Sequence, residues 1–208
     1  MSAFTPHRTL VIILSLENNY LYANRDMKIH KYSDSAFSIY EFMSQDECTK
    51  LNKLSEKVGF EKATINDGLS HSVTPHVRNN SRIIFDDENL ATEIWHRVSK
   101  FIPSRIDGWT STRINERFRF YKYDTFQAFK WHRDLPYKPT NSEMSKLTFM
   151  VYLNDDFEGG HTDFEDFKIW PECGMAAIFN HKLRHEGATV TNRTKYVLRS
   201  DVMYMAPS

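Results

Sequence analysis

His132-Arg133-Asp134, followed far downstream by His185, brings together residue types that hold a transition metal. Two imidazoles and one carboxylate are the protein donors of a facial triad. Such a triad binds iron(II) on one face and leaves the remaining positions open for a cosubstrate and oxygen. Positions i and i+2 of an extended strand point to the same side, so His132 and Asp134 can share an ion while Arg133 faces away. The third donor must come from a distant strand folded back beside the first. His185, in the run His185-Glu186-Gly187, leads for that place, and His161 and His181 compete with it. His161 reads as a solvated side chain in a Gly-Gly turn, and His181 as part of the loop entering the last strands. His-x-Asp alone carries little weight in a chain with nine histidines. Its ordered companions downstream supply the weight.

The elements that position these residues are legible in outline. The alternating run Phe37 to Met43 reads as a strand. Ser44-Gln45-Asp46-Glu47 is a capping box that starts a helix through about Lys57, with Leu51 and Leu54 inward. Residues 64–80 mix Asn, Ser, His, Gly and Pro and read as a loop. Asp86-Asp87-Glu88 opens a second helix through about Phe101, closed by Pro103, and acidic residues suit its N-terminus. From Arg113 onward, short aromatic and β-branched runs alternate with turn residues at Asp124, 154–156, Gly159-Gly160, Gly174 and Asn192. Helices first and strands later predict an α+β chain whose catalytic half is an antiparallel barrel or sandwich.

Composition sets limits. A chain of 208 residues, 40% apolar and 14% aromatic, fits one globular domain with a substantial core. We read 1–208 as that single domain, with a strand and helix support region at 1–112 and a catalytic core at 113–208. The formal net charge is zero, which removes the simplest argument for a nucleic-acid or anionic-membrane partner. Cys48 and Cys173 are two distant thiols without metal-finger or disulfide-framework spacing, and read as small side chains in a reducing compartment. The apolar run at 10–16 is shorter than the ~20 residues a bilayer span needs. It lacks a convincing small-residue cleavage site. It reads as a strand or anchoring segment, and a cytoplasmic location is expected.

The stretch Tyr123 to Asp134 resembles the segment around the first two ligands in prolyl-4-hydroxylase-like 2-oxoglutarate oxygenases. Leu147 to Asn154 resembles the next buried strand of that family. Glu158-Gly159-Gly160-His161-Thr162-Asp163-Phe164 resembles its Gly-Gly-x-Thr turn, and Gly174 to Phe179 the turn and strand before the last ligand. His185-Glu186-Gly187, with Lys195-Tyr196 beyond it, resembles the distal histidine and the basic residue that anchors 2-oxoglutarate. The match runs from Arg117 to Tyr204, more loosely back to Ile39. It implies a double-stranded β-helix, or jelly roll, supported by N-terminal helices. It also implies iron(II) and 2-oxoglutarate, nominates ascorbate, and points to hydroxylation of an aliphatic carbon in an amino acid or peptidyl residue, with release of succinate and CO2.

The same resemblance makes His132, Asp134 and His185 the metal ligands and Lys195 the partner of the remote 2-oxoglutarate carboxylate. An inward lysine demands an anion, because a buried ammonium is costly unless paired. Arg199 shares the Lys195 face of its strand and stays open as the alternative anchor, since arginine is the better bidentate clamp. Tyr123 and Thr162 correspond to side chains that donate to the same carboxylate. Arg78 and Arg82 precede the core, where the family frames its substrate entrance. They are candidate contacts to a substrate carboxylate, with a solvated loop as the competing reading. The family pattern is broken at Phe126, where a glycine is usual, and at Phe129, where a tyrosine is. Two other functions remain open: an oxygenase of another substrate class, such as alkylated nucleobases or small metabolites, and a non-catalytic metal-binding jelly roll.

Overall fold

The computed structural model describes residues 27–63, 65–66, 71–72 and 77–207. The apolar run at 10–16 lies outside these residues, as does much of the 64–80 loop. The larger sheet runs Ile29–Ser33, Ala36–Ile39, Ala176–Asn180, Glu143–Tyr152, Lys195–Met205, Arg117–Tyr123, Ser81–Asp86 and Glu61–Lys62, antiparallel throughout. Trp109–Ile114 pairs with the far half of Lys195–Met205. A smaller sheet runs Phe129–His132, His185–Gly187, Thr162–Phe164 and Lys168–Ile169. The architecture is a jelly-roll core with two supporting helices, as expected. Strands from before residue 113 are laid directly into the larger sheet.

Period-two alternation divides the long strands between two cores. In Glu143–Tyr152, Leu147, Phe149 and Val151 enter the cluster that also takes Leu51 of helix α1 (Gln45–Val58) and Leu90 and Ile94 of helix α2 (Glu88–Val98). Met150 and Tyr152 point the other way, into a cluster shared with Phe164 and Ile169 of the smaller sheet. Lys195–Met205 alternates likewise, with Leu198 and Val202 toward the helices and Val197 between the sheets. Polar residues on that second face therefore sit in an apolar slot, at the end where the metal-ligating types gather.

The capping box forms as read. Ser44 Oγ accepts from the Glu47 backbone N–H at 3.1 Å, and the Glu47 carboxylate accepts from the Ser44 backbone N–H at 2.7 Å. The second helix is shorter than expected: it ends at Val98 and a 3-10 turn, Ser99–Phe101, completes the run. The first expected strand also stops early, at Ile39, because Glu41 turns the chain with φ 57°. Cys48 and Cys173, distant in sequence, are brought close together, and the Cys173 thiol donates to the Leu153 carbonyl at 3.5 Å. No helix among the described residues is long and apolar enough to cross a membrane.

Gly174 shows how closely the support region is fitted. Its carbonyl accepts from Met43 N–H at 2.9 Å, its φ is +80°, and an added Cβ would lie 2.0 Å from the Met43 oxygen. Left-handed backbone alone costs a non-glycine residue roughly 1–2 kcal/mol. Gly174→Ala is therefore expected to lower the thermal midpoint by several degrees. A melt indistinguishable from the unmodified chain would show that this junction yields freely.

Candidate active site

The smaller sheet brings the three metal-ligating residues together. Phe129–His132 and His185–Gly187 pair antiparallel, and the register sets His132 directly across from His185. Asp134 lies just past the strand end, its carboxylate turned back between them. His132 Nε2 is 3.8 Å from Asp134 Oδ1, and His185 Nε2 is 3.8 Å from Asp134 Oδ2. One donor atom from each of the three lies within 4.8 Å of the others, so one ion can touch all three. Arg133 faces away, donating from Nε to the Lys182 carbonyl at 2.9 Å.

Backbone carbonyls set the tautomers. His132 Nδ1 lies 2.7 Å from the Lys130 oxygen and His185 Nδ1 3.0 Å from the Leu183 oxygen. A carbonyl only accepts, so each Nδ1 carries the proton and each Nε2 presents a lone pair, the usual preparation of a ligating histidine. Burial, followed by the neighbouring His185, pushes His132 down to about 4. Burial also lowers His185. Both rings are therefore neutral at neutral pH. For Asp134, burial works to raise the pKa, but Arg199 and the two histidines outweigh it and hold the carboxyl well below the usual range. Two neutral imidazoles and one ionised carboxylate fit iron(II).

Arg199 lines the same pocket as the three ligands, but its guanidinium is engaged by carboxylates of the chain. Its Nη2 sits 3.0 Å from Asp134 Oδ1 and 3.2 Å from Asp201 Oδ1. Thr148 donates to Asp134 Oδ2 at 2.5 Å and also lies 3.0 Å from His181 Nδ1. His181 lies, as expected, in the turn that enters the last strands, and there it is a buried link, with Nε2 2.9 Å from Ser145 Oγ, standing behind the ligand carboxylate instead of beside the other donors. His161 is partly buried rather than solvated, 3.1 Å from Asp163 and packed on Trp170.

Lys195 is placed quite differently from Arg199. It is 3% exposed and its Nζ donates to the Gly160 carbonyl at 2.5 Å. Tyr123 and Tyr152 surround the ammonium, with ring centroids at 5.4 and 5.2 Å. No carboxylate among the described residues forms an ion pair with it, and burial pushes its pKa down to about 7. Lys195 pairs across the larger sheet with Tyr123, and both line the pocket that holds the metal-ligating residues. The Gly-Gly turn makes room for it. Gly160 has φ +60°, and a Cβ there would press on Phe157 at 2.8 Å and on the lysine stem at 3.2 Å. Thr162 is buried, 2.8 Å from the Tyr152 hydroxyl. Tyr152, whose ring packs beside the Lys195 ammonium, is the residue that sequence reasoning passed over. Its signal was available, since it lies an even number of positions from Thr148 and Met150 on one strand.

Arg78 and Arg82 also separate. Arg78 is buried beside Phe129, whereas Arg82 is partly exposed on the strand next to Tyr121. Phe118 and Phe120 are core, whereas Tyr121 lines the pocket. Trp131 lies outside it, under Arg184.

A jelly roll carrying two neutral histidines, an ionised aspartate and an unpaired lysine defines a metal-dependent oxygenase centre. Residues 118–200 match the model of the 2OG-Fe(II) oxygenase superfamily. That stretch, which holds His132, Asp134, His185 and Lys195, marks an oxidoreductase of the dioxygenase type, and the fold around it is prolyl-4-hydroxylase-like. Among solved structures, it resembles the 2-oxoglutarate complex of a viral collagen prolyl hydroxylase from Paramecium Bursaria Chlorella virus-1. That match has TM-score 0.58 and 21% identity, over 82% of this chain and 97% of the other. A Pseudomonas putida prolyl-4-hydroxylase matches at TM-score 0.58 and 12% identity, over 84% and 94%. A Trichoplax adhaerens prolyl hydroxylase, bound to a hypoxia inducible factor peptide fragment, matches at TM-score 0.63 and 14% identity, over 83% and 84%. No curated protein matches the chain closely enough to serve as a relative.

Proposed function

We propose that the protein hydroxylates an aliphatic carbon of an amino acid or peptidyl residue. His132, Asp134 and His185 would hold iron(II), and Lys195 would anchor 2-oxoglutarate. The observation that carries this reading is Lys195: a buried ammonium without a counter-charge among the described residues, in the same pocket as a complete metal donor set. A binding module needs no such cation, and leaving one unpaired in an apolar slot is costly. When bound, iron(II) and 2-oxoglutarate would together let O2 react, one oxygen atom entering a substrate C–H bond and the other the succinate left with CO2.

The chain's own part is ligation, orientation and exclusion of water. Lys195 would receive the remote carboxylate, with the Tyr152–Thr162 hydroxyl pair as donors to the same group and Tyr123 closing the slot opposite. Arg199 is already engaged by two aspartates, so its role is to fix the Asp134 carboxylate. Phe129 stacks on His132 at 3.6 Å and Phe179 packs edge-on against His185 at 4.7 Å, which holds both rings in place. The peptide bound to the Trichoplax enzyme makes peptides a fitting first class of substrate to try beside free amino acids.

Succinate should form from 2-oxoglutarate in the presence of iron(II), with a product sixteen mass units heavier from one member of an amino-acid and peptide panel. Absence of both succinate formation and metal-dependent 2-oxoglutarate binding would return the chain to the binding-module reading.

A further inference from the structure

Arg78 is the buried cation that the proposed reaction leaves unexplained. It is 6% exposed and lies against the metal pocket. Residues 77–79 run beside the His132 strand: Arg78 bridges Phe129, Lys130 N–H donates to the Val77 oxygen at 2.8 Å, and Asn79 N–H donates to the Ala128 oxygen. The guanidinium is thereby slotted between two pocket-lining rings, 4.5 Å from the Tyr121 centroid and 4.4 Å from that of Phe129. Phe129 in turn stacks on His132, so one ring separates the arginine from the first ligand.

Its hydrogen bonding is incomplete. Nε donates to the neutral Asn80 Oδ1 at 2.7 Å, whereas Nη2 is buried without any partner. The other deeply buried arginines have their carboxylates: Arg97 has Glu47, and Arg199 has Asp134 and Asp201. Among the described residues, Arg78 forms an ion pair with none. Stacking on aromatic faces offsets part of the cost of burying a guanidinium, but it leaves an N–H unsatisfied and a charge uncompensated.

We infer that Arg78 receives a carboxylate carried by the substrate, so that the carbon to be oxidised lies only a few bonds from an acid group. Carboxylate chemistry suits the site because two rings flank the guanidinium and its Nη2 is left without a partner among the described residues, and a planar anion matches the donors of a guanidinium. Lys195 is taken by 2-oxoglutarate and Arg199 by its aspartates, so the substrate anion has Arg78 to itself. This inference rests on the dioxygenase reading and narrows its substrate class.

The test uses the full chain loaded with Mn(II) and N-oxalylglycine, which fills the 2-oxoglutarate place, and formate as the probe. Saturable paramagnetic relaxation of the formate proton is expected. Arg78→Met should weaken it at least tenfold while N-oxalylglycine binding is kept. Asn80→Asp gives the guanidinium an internal counter-ion without removing it, and should weaken formate binding in the same direction in a chain that keeps Arg78. N-acetylglycine should displace formate if the acid is an α-carboxylate, and the α-amide of N-acetylglutamate if it is a side-chain one; either supports the site and separates the two sources. Relaxation equal in all three proteins, as for formate sitting at the metal, would overturn the inference. So would displacement by N-acetylglycinamide as effective as by the acids. Failure of the unmodified protein to bind N-oxalylglycine would count against the dioxygenase reading instead.

Discussion

Replacing Lys195 with methionine should raise the 2-oxoglutarate concentration for half-maximal turnover at least a hundredfold while leaving metal affinity near its original value. The ammonium is buried, bonds one carbonyl, and forms no ion pair with a carboxylate among the described residues. An anion arriving there meets a site already stripped of water, so the pair it completes is strong. Losing one partner of such a pair costs roughly 3–5 kcal/mol, which corresponds to at least a hundredfold in affinity. Methionine keeps the length of the stem against Gly160 and the surrounding rings, so the fold should persist. Arg199→Met should behave differently, because it removes the cation from Asp134 and Asp201, and its defect should appear mainly in metal affinity. The pH dependence carries the same signature. With burial holding the free lysine near 7, the ammonium is present below that value and lost above it. Binding of 2-oxoglutarate to the metal-loaded protein should therefore weaken as pH rises through that range and be accompanied by proton uptake. Titration of both variants across pH, followed by succinate formation, reads all of this. A normal 2-oxoglutarate requirement in the lysine variant beside a large one in the arginine variant would move the anchor to Arg199.

What the sequence conveyed, and what it withheld, follows from how locally each feature is determined. The capping box at Ser44 was legible because its two hydrogen bonds join residues three apart. The closeness of His132 and Asp134 was legible from their spacing of two, although Asp134 lies just past the strand end and reaches the site by its carboxylate turning back rather than by the pleat. That His185 stands across from His132 depends on register between strands far apart in the chain, and only motif order pointed to it. Arg199 was legible only in part. Strand periodicity placed it on the same face as Lys195, which is correct, but periodicity says nothing of the counter-charge. Asp134 and Asp201 reach it from a strand end and from its own strand, and so remove it from competition for an anion. Phe126 has a backbone explanation. Its φ is 67°, a conformation that suits the glycine usual there, and the side chain is 77% exposed. Tyr152 escaped notice because a buried tyrosine in an apolar strand looks like packing until its hydroxyl partner, Thr162, is seen.

His185→Ala should cost more than a hundredfold in metal affinity and abolish turnover, whereas His181→Ala should cost about tenfold or less. The bound rests on a comparison of shells: removing a group that only supports a ligand costs roughly 10–100-fold, so removing the ligand itself must exceed that. His181 is two steps from the metal position, touching Thr148, which in turn holds Asp134. The same two-step link predicts that His181→Ala also costs stability, since it leaves the Ser145 hydroxyl without its histidine partner in a buried site. His185→Ala is also a cleaner ligand deletion than Asp134→Ala. Asp134 carries half of the counter-charge of Arg199, so removing it exposes a buried guanidinium as well as emptying a ligand position. The aspartate variant should therefore lose both metal affinity and several degrees of thermal midpoint, while His132→Ala and His185→Ala melt nearer the unmodified apo protein. Mn(II) titration followed by paramagnetic resonance, run beside thermal melts of the apo forms, separates the two losses. Intact metal affinity in His185→Ala with its loss in His181→Ala would show that the distal donor had been misassigned. Equal melts for all three ligand variants would show that Arg199 does not depend on Asp134 for its charge balance.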